Sequence, residues 1–313
     1  MPKLPDGWDE HLAYLNAPPS TQGLRTMAHA VARGSRIDRV RRLGGGISSA
    51  TSAVRLRTRA GQALDVVLKR YRRTGARDEW TRLRFAQKLA VPAPEPLALD
   101  ARGEWFGTEA LVMRRLPGRP DVRPGDIARW LDEIARTQIA IHSSGTRLVP
   151  ASLRASPFSD RWTRHRNLEQ APLVEDAVRR LRRRFRGATA RELVVAHGDS
   201  HPGNLLWLRG RISGVTDWQF AGIRPRGYEV AYMRADIAIL LGVGAAQRYG
   251  RAYEQLLGRA VPDLGVWDLV CGLDALRMSV TWVHPYREQG AELTPQLARR
   301  HAVAFLRRAV GHA

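Results

Sequence analysis

The spacing of apolar positions changes character twice along the chain. Residues 1–35 offer one helical stretch, 21–32, set off by a Pro18-Pro19-Ser20 break. From Ile37 the period is that of strands. Residues 37–43, 53–58 and 64–70 form three short runs, joined by a glycine-rich turn and by Arg59-Ala60-Gly61-Gln62, and predict an antiparallel meander. A helix over 76–89 follows and stops at Val91-Pro92-Ala93-Pro94-Glu95-Pro96; two further strands are predicted at 96–100 and 109–113. From Asp126 the period turns helical, with Ile127, Trp130, Leu131, Ile134 and Ile141 on one face, and residues 172–185 repeat it through Val174, Val178, Leu181 and Phe185. A strand, loop, strand segment interrupts at 194–218, after which helices are predicted at 228–241, 244–257, 264–283 and 293–310. The pattern is α+β: a small antiparallel sheet with one helix, then a mainly helical region.

The interrupting segment carries the chemistry. It reads His197-Gly198-Asp199-Ser200-His201-Pro202-Gly203-Asn204 and ends in Asp217-Trp218. Phosphoryl transfer from ATP needs one carboxylate at the acceptor hydroxyl, with an amide oxygen and a second carboxylate to hold magnesium against the donor phosphates. Asp199, Asn204 and Asp217 suit those three tasks. Upstream, Gly44-Gly45-Gly46-Ile47-Ser48-Ser49 joins two strands, and its glycines and two hydroxyls can approach phosphates closely because no side chain holds the ligand away. His197 and His201 beside two aspartates also invite a transition-metal reading.

These residues together resemble the aminoglycoside phosphotransferase and choline kinase group of small-molecule kinases, distant relatives of the protein kinases. Its marks are a His-Gly-Asp-x-His-x-x-Asn loop and a downstream Asp-Trp, and the spacing from Asp199 to Asn204 is also that of the protein-kinase catalytic loop. The resemblance implies a protein-kinase-like bilobal fold, with an N-terminal helical extension over 1–35, a nucleotide-binding lobe over 36–115 and a helical lobe with the acceptor site over 116–313. It implies ATP, or GTP, and Mg2+ as cofactors. Asp199 then serves as catalytic base, with His201 close by, and Asn204 and Asp217 as metal ligands. Gly44, Gly45, Gly46, Ser48, Ser49, Lys69, Met113, Leu116 and Leu206 are expected at the nucleotide. Lys69 pairs with a helix glutamate, Glu79 being the choice and Asp78 the alternative. The loop histidines brace the loop instead of binding metal, Trp218 packs, and Glu229, where many relatives have an aspartate, is structural.

Composition narrows the picture. The chain has 313 residues, 44% of them hydrophobic, and a formal net charge of +21. No continuous apolar stretch is long enough to span a membrane, and the N-terminus has acids and prolines where a secretory signal needs an apolar run; a cytoplasmic protein is expected. Cys271 is the sole cysteine and is expected in a helix core. All but three of the 51 basic residues are arginine, the exceptions being Lys3, Lys69 and Lys88, so a lysine kept at the end of a strand draws attention to Lys69. The basic residues are spread over the whole chain, and the arginine run at 179–184 reads as the solvated face of an amphipathic helix, so a nucleic-acid partner is not expected. The acceptor is a small-molecule hydroxyl. Asp263, Asp268, Asp274, Glu288 and Glu292 are scattered among arginines, so a neutral or anionic acceptor is expected over a polycation, with Trp267, Trp282, His284 and Tyr286 as candidate pocket residues. Antibiotics and related natural products lead, metabolites such as aminosugars, choline or homoserine follow, and a nucleotide-binding scaffold without catalysis is the reading from another class.

Overall fold

A computed structural model describes residues 7–154, 171–188 and 192–312. Two helices, α1 (Trp8–Asn16) and α2 (Thr21–Val31), precede a five-stranded antiparallel sheet of β1 (Arg36–Leu43), β2 (Ser49–Arg57), β3 (Ala63–Tyr71), β4 (Pro96–Asp100) and β5 (Ala110–Arg114), in the order β1-β2-β3-β5-β4. Helix α1 is not signalled by periodicity, since Leu15 is its single buried residue. Helix α2 begins where the proline break ends: the Ser20 hydroxyl accepts the Gly23 N–H at 3.2 Å and caps it.

The two-residue period of β3 divides its side chains between two environments. Val66 and Leu68 join Val54, Leu56, Ala98, Ala110 and Val112 under Leu24, Met27 and Ala28 of α2. Lys69 and Tyr71 point the other way, and Val67 and Tyr71 belong to the larger core shared with the helical region. Covering one sheet face with α2 therefore leaves the opposite face to form a cleft wall. Helix α3 (Ala76–Ala86) packs beside β3, β4 and β5.

The helical region contains α4 (Ile127–His142), α5 (Ala151–Arg154), α6 (Ala171–Ala188), α7 (Arg226–Leu241), α8 (Val243–Leu257), α9 (Leu264–Glu288) and α10 (Pro295–His312). Two small sheets carry the interrupting segment: β7 (Leu193–Ala196) pairs with β10 (Gly222–Pro225), and β8 (Leu205–Leu208) lies between β6 (Arg119–Pro120) and β9 (Arg211–Val215). Helix α9 runs five residues past the predicted end, through Pro285. A proline inside a helix costs about 3 kcal/mol through a lost hydrogen bond and a clash. Tertiary anchoring offsets it here, because Pro285 and Tyr286 are buried and the Tyr286 hydroxyl donates to Asp236 of α7 at 2.6 Å. Among the described residues no helix is long and apolar enough to cross a membrane.

Met27 has no solvent exposure at the centre of the α2 contact. Met27→Ala is expected to lower the unfolding free energy by about 2–4 kcal/mol, the usual range for a large-to-small core substitution. Urea unfolding measures it, and a change below about 0.5 kcal/mol would mean that α2 is not integral to the sheet.

Candidate active site

The loop between β7 and β8 is held from three directions. At its start Gly198 has φ +83, and a Cβ there would lie 2.1 Å from the Phe220 carbonyl oxygen, so the position admits only glycine. His197, fully buried, accepts the Asp199 N–H at its own Nδ1 (3.3 Å), which fixes the proton on Nε2 for donation to the Thr216 carbonyl at 2.9 Å. Trp218, also buried, sets its ring edge-on to His197 at 4.6 Å and donates its indole N–H to the Val215 carbonyl. At the loop's end the Asn204 side-chain N–H donates to the Asp199 carbonyl at 3.0 Å.

These restraints fix the reactive groups. One Asp199 oxygen, Oδ1, accepts the Tyr232 hydroxyl at 2.8 Å; around the other, Oδ2, Asn204 Nδ2 stands at 3.5 Å and His201 Nε2 at 3.9 Å, both too long for strong hydrogen bonds. Burial, together with the charges of Asp199 and Asp236, pushes the Tyr232 phenol well up, so Tyr232 stays a donor. His201 accepts the Gly203 N–H at Nδ1 and packs edge-on against Tyr286. Among the described residues no group of three or more His, Cys, Asp or Glu could hold a metal; His197 and His201 engage backbone groups of the loop.

Asp217 follows β9 in a left-handed backbone conformation, φ 63, rare for a residue with a side chain. Its carboxylate accepts from Lys69 Nζ at 2.9 Å, and the same ammonium donates to both oxygens of Glu79 at 2.9 and 2.7 Å. Glu79, with no exposure, also accepts from the Tyr71 hydroxyl, whereas Asp78 points outward, 3.9 Å from Arg82. Of the two helix acids, Glu79 is the one that meets Lys69. Burial alone would lower the Lys69 ammonium, but the Asp217 and Glu79 charges outweigh it and hold it protonated well above its usual range. Burial would raise Asp217, and Lys69 overrides that to keep its carboxyl low. Glu79 is raised, by burial and by Asp217, against the pull of Lys69.

Two cavities meet at this cluster. One, of about 210 Å³ between the sheet and the helical region, is lined by Gly44, Gly45, Gly46, Lys69, Met113, Leu116, Leu206, Asn204 and Asp217 among others. The sequence reading missed Val67, two positions before Lys69 on the same strand face, and Arg41 and Arg119, which add positive charge. The second, of about 320 Å³, lies beyond the glycine turn and shares Gly45, Gly46, Asn204, Asp217 and Gln289 with the first; Asp199, His201, Tyr232, Asp236, Trp282 and Tyr286 complete much of its wall. The two serines lie away from the wall that carries Lys69. Ser48 lines the second cavity, and Ser49 lines neither, because β2 begins at Ser49 and buries it with its hydroxyl 3.3 Å from that of Thr51. Of the proposed pocket residues, Trp282 and Tyr286 are on the wall, while Trp267 is core and His284 lies 3.7 Å from Glu288.

The final turn of α9 closes the boundary between the cavities. Glu288 accepts the Gly45 N–H at 2.9 Å and pairs with Arg42 at 2.7 Å, and Gln289 donates to the Gly203 carbonyl at 3.1 Å. Gly45 has φ +93, and a Cβ there would collide with the Gln289 amide at 2.4 Å. Ending α9 at residue 283 in the sequence reading hid the place of both residues.

Beneath the loop, Glu229 is almost fully buried and accepts the backbone N–H groups of Gly198 (2.6 Å) and His197 (3.3 Å). Arg226 donates to the Tyr253 hydroxyl, so that hydroxyl donates to His142 Nδ1 at 2.6 Å and the His142 proton sits on Nε2, 3.7 Å from Glu229. Burial lowers His142 from its usual 6.5, against the opposing pull of Glu229. Two outcomes are expected. Glu229→Ala strands two buried N–H donors and should cost about 2–4 kcal/mol, read from denaturant midpoints. His142 is held neutral in the fold but takes a proton below about pH 6.5 when unfolded, so its contribution is present above that pH and lost as pH falls. The stability difference between pH 7.5 and 5.5 should therefore shrink in His142→Gln, and an unchanged difference would contradict the neutral assignment.

Known proteins share this architecture. An 18%-identical protein of Ralstonia eutropha JMP134, provisionally assigned as an aminoglycoside phosphotransferase, superposes with a TM-score of 0.64 over 94% of this chain and 98% of its own. Aminoglycoside phosphotransferase APH(4)-Ia is 17% identical over 92% of this chain and 99% of its own, at 0.62. Macrolide 2'-phosphotransferase MphH of Brachybacterium faecium is 20% identical over 86% and 97%, at 0.50. No curated protein sequence matches the chain. The model of the phosphotransferase enzyme family (APH) matches residues 39–265, which includes β2, β3, α3, the 197–204 loop and Asp217. With its sheet lobe, helical lobe and intervening cleft, the chain is a kinase-type phosphotransferase of protein-kinase-like fold and belongs to the phosphotransferase enzyme family.

Proposed function

We propose that the protein moves the terminal phosphoryl group of ATP, or of GTP, to a hydroxyl of a small molecule, an antibiotic or related natural product being the favoured acceptor class. The observation that carries this reading is the junction of the two cavities. Asp199, with one oxygen tied to Tyr232 and the other lacking a strong hydrogen bond, lines the second cavity within reach of Asn204 and Asp217, which line both. The acceptor oxygen attacks the phosphorus, its proton passes to Asp199 Oδ2, and the bond from phosphorus to the bridging oxygen of the departing nucleoside diphosphate breaks. The transition state is loose and highly charged, so the protein's work is alignment and charge neutralisation, and an ordinary carboxylate suffices for a late proton transfer.

The donor set fits magnesium. With its side-chain nitrogen committed to the Asp199 carbonyl, Asn204 keeps its amide oxygen free, and Asp217 adds a carboxylate, a hard oxygen pair of the kind that shares the ion with phosphates and water. Magnesium held by Asn204 and Asp217 would supply neutralisation of the donor phosphates. Lys69 adds a compact positive charge on the nucleotide side. Solved relatives support a nucleotide and a small acceptor: APH(4)-Ia variants have been crystallised in ternary complexes with ADP or AMP-PNP and hygromycin B. A metabolite kinase for an aminosugar would use the same residues, and the modest volume beside Asp199 favours such a compact acceptor as the second reading.

Asp199→Ala is expected to lower kcat at least about 100-fold, the lower end of general-base contributions, with nucleotide affinity within threefold of wild type. Acceptor-stimulated ADP release together with a nucleotide titration measures both, and normal turnover would end the catalytic assignment. Asp217→Ala is expected to weaken nucleotide binding by about 10-fold or more with magnesium present and by far less in EDTA, the scale usual for lost metal-site support. Equal affinities in the two buffers for wild type would remove its metal role.

A further inference from the structure

The direction in which the Asp199 carboxylate points is not set by the loop that carries it. The loop fixes the backbone there, with the Asp199 N–H donated to His197 Nδ1 and the carbonyl accepting from Asn204. The side chain needs a separate restraint, because the torsion that turns a carboxylate about its last bond is broad and two-fold, with no steep well to hold it. A hydrogen bond can supply one. Among the described residues the single contact of normal length to this carboxylate is the Tyr232 hydroxyl on Oδ1 at 2.8 Å; Asn204 Nδ2 and His201 Nε2 stand off from Oδ2 at 3.5 and 3.9 Å. The side chain remains 20% exposed, so the oxygen that Tyr232 does not hold can be met from the cavity that Asp199 lines.

Tyr232 is itself well fixed. It stands in the second turn of α7 beside Val230, Ala231 and Met233, all buried, and its ring lies 5.8 Å from that of Tyr228 and 6.3 Å from that of Trp282 in α9. A rigid helix and two neighbouring rings therefore aim the hydroxyl. The chemistry of the donor suits the task as well. A lysine or arginine would bind the carboxylate more strongly but would oppose its taking a proton, whereas a neutral phenol directs the group and leaves it a base. Burial and the charges of Asp199 and Asp236 keep that phenol protonated, so it has a hydrogen to donate. No motif marks the residue, which lies 33 positions beyond Asp199 in the chain and outside the 197–218 segment.

We propose that Tyr232 is the positioning residue of the catalytic base, holding Asp199 Oδ1 so that Oδ2 is the oxygen left for the acceptor hydroxyl, beside the wall of Asn204 and Asp217 that both cavities share. This rests on the phosphotransfer reading. The acceptor oxygen bonds to phosphorus as the bond to the departing diphosphate breaks, the acceptor proton goes to Oδ2, and Tyr232 keeps its own proton throughout.

The test is Tyr232→Phe, which keeps the ring and removes the donor. ADP release from magnesium ATP is followed with hygromycin B, erythromycin or glucosamine as acceptor, and with water alone. The expected result is a kcat about 10-fold lower, with KM for ATP within about twofold of wild type, since a misdirected base slows the proton transfer and leaves the nucleotide side untouched. Because Tyr232 acts through Asp199, the same substitution made in Asp199→Ala is expected to change the residual kcat by less than about twofold. Placing 4-aminophenylalanine at position 232 returns an N–H donor on the same ring and should recover part of the loss. A readout without turnover is the carbon-13 resonance of the Tyr232 phenol carbon, identified by its loss in Tyr232→Phe, which should move in Asp199→Ala. Thermal melting identifies a Tyr232→Phe protein that fails to fold, and the 4-aminophenylalanine protein and the response of the resonance to Asp199→Ala then decide. A wild-type kcat in Tyr232→Phe, an equal loss in the Asp199→Ala background, or a resonance indifferent to Asp199→Ala overturns the proposal alone. A wild type that releases no ADP under any of these conditions overturns phosphotransfer and the positioning role together.

Discussion

The contact on which the architecture turns is the buried ammonium of Lys69 between Glu79 and Asp217. It joins β3, α3 and the segment after β9, three elements far apart in sequence, at one point. Two carboxylates this close repel each other, and desolvation penalises both, so the two would not remain ionised together here without the lysine. Removing one partner from such a cluster costs about 3–5 kcal/mol because the others are left buried and uncompensated. Arginine would carry the charge, but its broad planar group cannot sit as a point between two carboxylates at 2.7–2.9 Å. A chain that has turned nearly every other cation into arginine keeps lysine at this place for a geometric reason.

From that cluster the cleft closes upward through backbone donors. Glu288, at the end of α9, takes up the N–H of Gly45, and Arg42 balances the same carboxylate, so the glycine turn is tethered to the helical lobe by an acid. Gln289 links the turn to Gly203 in the catalytic loop. Backbone N–H groups of such a turn are natural partners for phosphate oxygens, and a carboxylate offers them the same kind of acceptor. The turn and the loop, which must converge on a donor phosphate and an acceptor hydroxyl, are thus tied to one helical turn and keep their spacing through it.

Which parts of this were legible in the sequence follows from whether their signals are local. The two-residue period of 64–70 and the sudden lysine pointed to β3 and Lys69, and the spacing of Asp199, Asn204 and Asp217 pointed to three groups that the fold brings to one cavity. Glu79 and Asp78 could not be separated by pattern because adjacent helix residues differ only in direction, and the choice depends on where Tyr71 and Lys69 lie. The run through Pro285 was hidden because local propensity favours a stop, while the bond from Tyr286 to Asp236 spans fifty residues. Asp236 itself had a sequence signal, an acid in the apolar second half of a helix, but its meaning depends on the cavity that α7, α9 and the adjoining loops enclose. The place of Ser49 inside a strand was hidden since β2 starts four residues before its hydrophobic alternation becomes plain.

Net charge and site charge then answer different questions. The arginine excess is spread over exposed positions, where solvent and salt screen each charge within about 8–10 Å. Inside the pocket the dielectric is lower and few groups contribute, so Asp199 and Asp236, with Asp217 already paired to Lys69, weigh more there than a distant surface excess does. A basic surface beside an acidic pocket also separates the two ligands. On the proposed reading the cavity with Arg41, Arg119 and Lys69 would take the phosphates, and the neighbouring cavity, lined by no lysine or arginine among the described residues, would take the acceptor. Asn204 and Asp217 belong to the wall the two cavities share, and on the proposed reading that boundary is where the phosphoryl group would cross.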